Sequence, residues 1–324
     1  MTIDAGMIAA ARATIAPYLD RTPVIRVDAA GAPGRTIYLK NETVLPTGSF
    51  KVRGAIHALK AACARGTMTE VVAASTGNHG AAVAYACRLL GVPARIFLPE
   101  HPNPVKAGRI RELGAVLVET GRDLTDAIDA AEQYVTTAGA FFLHDASSPE
   151  VPAGAATIGA EILEDVPDVD EVYVPMGDTA LIRGVASALR LASSRRIRVV
   201  GVVAEAAPAY CLSWKSGQVR ETATADTIAD GLAVRRPLAS NVAAIRELVD
   251  DVVSVSEREM LQAIAWVRRA TGILAEPSGA AAVAAVIAGS RAGSGAAAGR
   301  TEPVTVALVT GGNISPEVER QLAI

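Results

Sequence analysis

The feature of this sequence that most constrains its fold is a long alternation of short apolar runs and helical patterns. Between residues 70 and 137 a strand pattern is followed by a helical pattern three times, and the helical segments stop near Gly91, Gly114 and Gly139. Glycine is a common helix stop signal, and short apolar runs between helices are typical of strands buried on both faces. The alternation resumes after a loop and continues to residue 309. We therefore predict an α/β protein whose mostly parallel, twisted sheets are flanked by helices.

Length and composition narrow the class of protein further. The chain has 324 residues, and at roughly 150 residues per domain this length predicts about two domains. Half of the residues are hydrophobic and the net charge is −3, which excludes a disordered chain and gives no global field for nucleic acid or a membrane. The cysteines lack zinc-ligand spacing, and the amino-terminal segment does not resemble a signal peptide. We expect a cytoplasmic protein that binds a small molecule, without nucleic-acid or membrane partners.

Lysine is scarce, which makes Lys51 conspicuous. Only five of the 31 basic residues are lysines. Lys51 opens a helical pattern for which Ser49 is the expected N-cap, and a cation in a first helical turn is opposed by the helix dipole. One interpretation is a solvated lysine at a helix start. The other is an amine whose pKa is depressed by the dipole and by burial beside Phe50, so that it is nucleophilic enough to form a Schiff base.

Three further polar turns follow predicted strands, at residues 75–80, 175–181 and 310–313. Hydroxyls and free N–H groups at a helix start form a site for a carboxylate or phosphate, although ordinary helix capping explains the same residues. In parallel sheets, ligands gather beyond the carboxyl ends of the strands. We therefore expect these turns and the Lys51 segment to line one shared pocket.

Taken together, these segments resemble the fold type II family of pyridoxal-phosphate enzymes, specifically its serine/threonine dehydratase branch. The resemblance covers nearly the whole chain and keeps the family's motif order, with matches at 40–42, 46–55, 75–79, 177, 276–279 and 310–313. It implies a two-domain fold similar to that of tryptophan synthase β. A small domain of residues 44–148, with the Schiff-base lysine and the substrate carboxylate loop, would be inserted into a large cofactor-binding domain of residues 1–43 and 149–324.

The resemblance also implies a role for each matching residue. Lys51 would form the Schiff base with the aldehyde of pyridoxal 5'-phosphate and later remove the proton on the substrate Cα. Phe50 would pack on the pyridine ring, and Asn78 would bond its phenolic oxygen. Thr310 would face the pyridine nitrogen, where a hydroxyl makes a weaker electron sink than a carboxylate and so favours prompt elimination. The expected donors to the substrate carboxylate are Ser75, Thr76, Gly77 and His79.

The turn after Gly177 departs from the family pattern, which usually has four consecutive glycines for the phosphate. Asp178, Thr179 and Ala180 stand here instead, and a carboxylate beside a phosphate is unfavourable by on the order of 1 kcal/mol at 4 Å even in water. We expect Asp178 to point away from the phosphate, with Arg183 or Arg53 as possible compensating cations. The phosphate would be bound by the Thr179 hydroxyl and the N–H groups of Asp178, Thr179, Ala180 and Leu181, with Gly177 as a further cofactor-binding residue.

A second departure concerns metal. Some relatives hold a divalent cation through a glutamate and an aspartate six residues later, and this chain has Glu205 but Cys211 at those positions. A thiol is a poor ligand for a hard cation. We therefore predict no such metal site.

The activity implied by the resemblance is elimination of the β-hydroxyl of a β-hydroxy-α-amino acid by a dehydratase of amino-acid catabolism. Residues 176–184 look most like the hydroxyectoine-utilisation dehydratases, whose substrate would be a hydroxylated 2,4-diaminobutyrate, with Asp178 as a candidate contact for the second amine. Alternatives are an ammonia-lyase acting on free L-threonine or L-serine, a serine or aspartate racemase using Thr76 as second base, and a non-catalytic binding protein. Members of the family usually form dimers or tetramers, so the resemblance implies a homodimer or homotetramer.

Overall fold

The computed structural model describes residues 3–27, 35–66, 68–75, 77–291 and 302–322. These residues form ten strands, twelve α-helices and a short 3₁₀ helix at Asp230–Leu232. The strands are β1 (Val24–Val27), β2 (Thr36–Asn41), β3 (Val71–Ala74), β4 (Ala94–Leu98), β5 (Val116–Glu119), β6 (Phe141–Phe142), β7 (Glu171–Pro175), β8 (Arg198–Ala204), β9 (Asp251–Val255) and β10 (Val304–Val309). The helices are α1 (Ala5–Ile15), α2 (Lys51–Arg65), α3 (Asn78–Leu90), α4 (Pro104–Glu112), α5 (Leu124–Ala138), α6 (Glu150–Asp165), α7 (Ala180–Ala192), α8 (Ala209–Ser216), α9 (Ala239–Leu248), α10 (Glu257–Thr271), α11 (Pro277–Arg291) and α12 (Pro316–Gln321).

The strands form two separate sheets. The larger has six strands in the order β1-β2-β10-β7-β8-β9, and the smaller has four in the order β5-β4-β3-β6. Every pairing is parallel except that of β1 with β2, which is antiparallel. Such sheets with helices between the strands confirm the predicted α/β class. The smaller sheet takes its strands from residues 71–142, but domain boundaries at 44 and 148 stay a prediction.

The large sheet is buried on both faces, as the apolar runs predicted. Along β10, Ala307 and Val309 join a core with α10 and α11, while Val306 and Leu308 join a second core with α6, α7 and α9. Adjacent residues of a strand point to opposite faces, so an uninterrupted apolar run needs a helical layer on each side. These helical layers on both faces determine where the carboxyl ends of the strands lie.

Helix α2, which begins at Lys51, is held against α6 by a close contact between glycines. A Cβ on Gly154 would lie 2.7 Å from the Cα of Gly54, and a Cβ on Gly54 would lie 2.8 Å from Cγ1 of Val151. Only residues without side chains allow two helices to approach so closely. This contact holds the first turns of α2 directly against α6.

The sequence patterns missed several elements. Helices α8, α9 and α12 and the short strand β6 had no predicted counterpart. These elements are short or polar, so tertiary packing rather than periodicity supports them. Among the residues that the structure describes, no helix is both long and apolar enough to cross a membrane.

Candidate active site

A cavity of about 730 Å³ opens where the carboxyl ends of strands from both sheets face each other. The sequence-predicted residues that line it are Phe50, Lys51, Ser75, Asn78, His79, Gly177, Asp178, Thr179, Leu181 and Thr310. Gly77 and Ala180 lie in the same turns but not in the lining. Thr76 lies outside the described residues. The fold therefore brings the polar turns into one pocket, as their positions after strands indicated.

Lys51 is the first residue of α2, and its side chain reaches into the cavity. The helix N-cap is Phe50 rather than the expected Ser49, whose hydroxyl is buried without a hydrogen-bond partner. Lys51 Nζ forms an ion pair with Asp145, lies 2.6 Å from Oδ2 of Asp178, and stands 5.2 Å from the centre of the Phe50 ring. The amine is therefore shared between two carboxylates.

These carboxylates overturn the expected pKa of Lys51. Burial acts to lower the pKa, but the charges of Asp145 and Asp178 outweigh it and hold the pKa above its ordinary value. The sequence interpretation counted burial and the helix dipole, which both oppose a cation, and had no knowledge of the two anions. Of the two interpretations of Lys51, the one that required a depressed pKa is contradicted by these contacts.

Asp145 is the site residue that sequence reasoning missed. Burial and the nearby charge of Asp178 raise its pKa to about 6, although His79 and Lys51 act in the opposite direction. For Asp178 burial also opposes ionisation, but Lys51 outweighs it and lowers the pKa. Asp145 follows β6, a strand too short to leave a sequence pattern, so the usual signal of a polar residue beyond a strand end was hidden.

The turn between β7 and α7 is capped by its own aspartate. Asp178 Oδ1 accepts a hydrogen bond of 2.8 Å from the N–H of Ala180, while its Oδ2 faces Lys51. Thr179 has a left-handed φ of 75°, and its hydroxyl accepts a hydrogen bond of 3.1 Å from Nε of Arg183. One N–H expected at the phosphate is thus engaged with Asp178. The individual phosphate contacts stay a prediction.

Of the two arginines expected to compensate the Asp178 charge, Arg53 is excluded. Its guanidinium lies 2.7 Å from Glu42 and 2.7 Å from Glu161 in a separate buried ion cluster. The expectation for Arg53 is wrong because the helix directs residues two apart to different faces. Arg183 lies at the edge of the turn, where Nη2 also donates to the backbone oxygen of Ala146 at 2.9 Å.

The loop before α3 combines capping with a free donor. Ser75 Oγ accepts hydrogen bonds from the N–H groups of Gly77 at 2.8 Å and Gly80 at 2.9 Å. A serine hydroxyl accepts two such bonds and still has its own hydrogen to donate, so the capping and the carboxylate-binding interpretations are compatible. Gly77 is required here, because its φ is 152° and a Cβ would lie 2.2 Å from Cδ of Lys106.

A second polar cluster lines the cavity, and its lysine, Lys106, had no predicted role. Lys106, whose side chain is 3% exposed, lies 2.7 Å from Asp230 and 2.8 Å from Glu276. The Asn78 amide donates to Glu276 at 2.5 Å and accepts from Asn313 at 2.9 Å. The scarcity of lysine was the signal that could have indicated Lys106. The cluster fixes the Asn78 side chain from both ends.

Glu205 and Cys211, the positions that match the metal ligands of some relatives, do not line this cavity. Glu205 is exposed, and the Cys211 thiol is buried 3.6 Å from the backbone oxygen of Val252. Within the described part of the chain, no group of three or more His, Cys, Asp or Glu side chains is arranged to hold a metal ion. The absence of a metal site nevertheless stays a prediction.

Comparison with known proteins identifies the family. Residues 15–311 match the model of the family described as "Pyridoxal-phosphate dependent enzyme". The L-threonine ammonia-lyase of Geobacter sulfurreducens is 39% identical over 78% of this chain and 63% of its own length. The catabolic L-threonine dehydratase TdcB of Escherichia coli is 36% identical over 86% of this chain and 83% of its own length. The structure of maize serine racemase superposes with a TM-score of 0.89 at 29% identity, covering 99% of this chain and 97% of the racemase.

The chain therefore belongs to the pyridoxal-phosphate dependent enzymes of the threonine/serine dehydratase family. It spans less than two thirds of the length of the Geobacter relative.

The residues of the cavity fit this cofactor. The first turn of α7 offers backbone N–H groups without acceptors in the helix, and such groups bind phosphate. Gly177 leaves no room for a side chain, since a Cβ there would lie 2.2 Å from the backbone oxygen of Gly231. The Lys51 amine and Thr310 face the same cavity. The volume of this cavity suits a ligand of the size of the cofactor.

Proposed function

We propose that this chain is a lyase that eliminates the β-hydroxyl of a β-hydroxy-α-amino acid. The unsaturated amine that is formed would hydrolyse to a 2-oxo acid and ammonia. The observation that carries the proposal is that Lys51, Ser75, His79 and Thr310 line one cavity. The names of the two curated relatives support the same reaction class, because both are lyases acting on L-threonine.

Pyridoxal phosphate, when bound, supplies an aldehyde for covalent attachment at Lys51 and a ring that takes up electron density from the substrate Cα. The side chains and backbone of the protein orient the substrate and transfer the proton. The Ser75 hydroxyl and the first turn of α3 orient the substrate carboxylate, which places the Cα hydrogen beside Lys51 Nζ. That amine, once neutral, removes the proton. Phe50 and Thr310 are proposed to contact the ring face and the ring nitrogen, and Asn78 the phenolic oxygen.

We propose hydroxyectoine catabolism as the pathway and a hydroxylated 2,4-diaminobutyrate as the substrate. This finer proposal is supported by residues 176–184, which resemble the hydroxyectoine-utilisation dehydratases. It is also supported by the acidic lining around Lys51, because the side chains of threonine and serine carry no charge that would need it.

The test is to supply L-threonine, L-serine and the hydroxylated diamino acid side by side and to measure 2-oxo acid and ammonia. Equal amounts of both products from at least one substrate are expected. Reduction with borohydride followed by peptide mapping should place the cofactor label on Lys51. A label on another lysine, or no 2-oxo acid from any β-hydroxy amino acid, would contradict the proposal.

A racemase is the second candidate, favoured by the similarity to maize serine racemase. It predicts that deuterium from solvent enters the Cα position of serine or aspartate without release of a 2-oxo acid. A non-catalytic binding protein predicts neither exchange nor product. Measuring exchange and 2-oxo acid in one reaction therefore separates the three functions.

A further inference from the structure

The turn between β7 and α7, where the cofactor phosphate is expected, has one of its own donors engaged internally. The Ala180 N–H donates to Asp178 Oδ1 at 2.8 Å. N–H groups at a helix start are the groups that bind phosphate, so this bond withdraws one of them. The Asp178 carboxylate also brings a negative charge that repels a phosphate. Compared with a turn of bare glycines, this turn therefore has one donor fewer and one anion more.

Tyr210, the second residue of α8, lies beside this turn. It is 2% exposed, and it lines the cavity together with Gly177 and Asp178. Nδ2 of Asn241 lies 3.4 Å from the Tyr210 hydroxyl oxygen and 3.2 Å from the backbone oxygen of Asp178. One amide nitrogen thus contacts both the hydroxyl and the turn, so the hydroxyl lies close to the expected phosphate position.

The orientation of the Asn241 amide determines the role of the hydroxyl in this contact. Nδ2 faces the backbone oxygens of Ala146 and Asp178, each at 3.2 Å. A nitrogen that faces two carbonyl oxygens must be the donating end of the amide. The group that faces Tyr210 is therefore a donor, and the Tyr210 oxygen accepts from it. The hydrogen of the hydroxyl points elsewhere.

That hydrogen has no acceptor among the described residues. The Tyr210 oxygen accepts from the Leu238 N–H at 3.2 Å and from Asn241 at 3.4 Å, both at the start of α9, and it donates no hydrogen bond. Burial raises the pKa of Tyr210, so the hydrogen stays on the oxygen at neutral pH. A buried donor without an acceptor is costly. The side of the hydroxyl that faces the cavity is thus available to an acceptor on a ligand.

Arg183 supplies positive charge beside the turn. Its Nε donates to the Thr179 hydroxyl at 3.1 Å, and its Nη2 donates to the backbone oxygen of Ala146 at 2.9 Å. Its charge also interacts with the carboxylates of Asp178 and Asp145. Because Arg183 does not line the cavity, it offsets the carboxylate charge without reaching the ligand itself. A direct hydrogen bond from a side chain must come from a group that does line the cavity.

We propose that the Tyr210 hydroxyl donates a hydrogen bond to the phosphate of pyridoxal phosphate, in place of the Ala180 N–H that Asp178 occupies. A donor to a phosphate oxygen forms a charge-assisted hydrogen bond, which is stronger than a bond between neutral groups. Tyr210 is then a cofactor-binding residue from α8, a helix outside the turn that carries the phosphate-binding N–H groups. This role does not depend on the substrate or on the reaction.

The test compares two forms of the cofactor that differ only in the phosphate. Pyridoxal 5'-phosphate and pyridoxal carry the same aldehyde for attachment at Lys51. Each is titrated into the full-length chain after removal of its bound cofactor, and absorbance gives a Kd for each. In Tyr210→Phe the ratio of the pyridoxal Kd to the pyridoxal phosphate Kd should fall at least about tenfold, the scale of one hydrogen bond to a charged group. An unchanged ratio would overturn the inference.

Tyr173→Phe is the matched control. Tyr173 belongs to β7, the strand that leads into the same turn, and it is 5% exposed and does not line the cavity. Loss of its hydroxyl should leave the ratio at the wild-type value, because a general loss of stability weakens both ligands equally. A fall as large as in Tyr210→Phe would show that the ratio does not report a contact with the phosphate, and the inference would be wrong.

A second pair of variants tests whether the hydroxyl takes the place of the N–H. Asp178→Ala frees the Ala180 N–H for the phosphate and removes the opposing charge. In this background Tyr210→Phe should lower the ratio by less than about threefold, because the two donors then substitute for each other. The same loss in both backgrounds would contradict the replacement of the Ala180 N–H by the hydroxyl.

A measurement on the wild type needs no variant. The chain has six tyrosines, and carbon-13 at Cζ of each ring reports the hydrogen bonding of its hydroxyl. We expect one of the tyrosine resonances to move with pyridoxal phosphate and to stay in place with pyridoxal. If no tyrosine resonance distinguishes the two ligands, the inference is wrong. None of these readouts requires turnover, so a failure of the proposed elimination leaves them unaffected.

Discussion

Two buried ion clusters lie close together in this protein, and they differ in charge balance. The first, here called the structural cluster, consists of Lys40, Glu42, Arg53 and Glu161, with two cations and two anions. The second, the cavity cluster, consists of Lys51, Asp145 and Asp178, with one cation and two anions.

In the structural cluster each charged side chain has a partner of opposite charge. Arg53 donates to both glutamates and to Thr22, and Lys40 donates to Glu161 and to the backbone oxygen of Thr22. Among the described residues, its partners come from β2, α2, α6 and the segment before β1, and it does not line the cavity. The cavity cluster lines the cavity, and its two carboxylates share one ion-paired cation. The charge of Arg183 also interacts with both carboxylates. The structural cluster thus joins elements of the fold, whereas the cavity cluster surrounds the lysine that faces the ligand site.

The largest expected effect is the loss of activity on replacing the cation of the cavity cluster. Lys51→Ala removes both the point of covalent attachment and the base, so 2-oxo acid formation should fall by at least about a thousandfold. The measurement is the steady-state rate of 2-oxo acid formation. The control is Lys60→Ala on the same helix, whose amine stacks over Tyr18 at 5.7 Å. Substantial residual turnover in Lys51→Ala would refute the assignment.

The next effect concerns stability rather than activity. Arg53→Met in the structural cluster leaves Glu42 and Glu161 with only Lys40, and the free energy of unfolding should fall by about 3–5 kcal/mol. Urea denaturation gives this value. Arg65→Met serves for comparison, because Arg65 is 58% exposed in its pair with Glu150 and should cost less than about 1 kcal/mol. Similar losses in both variants would remove the distinction between the clusters.

A smaller effect is a pH dependence from Asp145. Its pKa rises from 3.8 to about 6 on folding, chiefly by burial and then by Asp178. The folded protein therefore binds this proton more tightly than the unfolded chain, so the contribution is fully present below pH 3.8 and is lost as the pH rises to about 6.

Asp145→Asn removes this dependence. In the form without cofactor, the free energy of unfolding of the wild type should fall relative to the variant by about 1–3 kcal/mol across this pH range. Urea denaturation at several pH values between the two pKa values measures the difference. A difference that stays constant with pH would show that Asp145 is not buried as a raised-pKa carboxyl.

The smallest expected effect separates capping from substrate binding at Ser75. Ser75→Ala removes an acceptor for two N–H groups of the α3 start and should cost about 1 kcal/mol of stability. It should also raise KM several-fold, since the donor to the substrate carboxylate is lost.

The matched control for this variant is Ser256→Ala, which removes the capping box of α10. It should cost similar stability and leave KM unchanged. If Ser75→Ala lowers the stability but leaves KM unchanged, Ser75 acts only as a helix cap.

Much of the fold was readable from local sequence. The three strand–helix repeats predicted between residues 70 and 137 are β3–α3, β4–α4 and β5–α5, and α3 and α5 end at Gly91 and Gly139 as predicted. These elements were predictable because the spacing of apolar residues and the glycine stop signals are local features of the sequence. Of the site, the polar turns at Ser75, Gly177 and Thr310 were predicted to share a pocket, because parallel strands place their carboxyl ends together.

Local sequence was therefore enough to predict the α/β class, the family and the lysine that faces the cavity. Which charges surround that lysine depends on the long-range packing of the chain. Asp145 reaches Lys51 from a loop 94 residues away in sequence, and Asp178 from a turn 127 residues away. No local pattern encodes such a meeting, and the pKa of a buried amine depends on these distant anions more than on its own helix. This is why the sign of the Lys51 pKa shift was mispredicted while its position in the site was predicted.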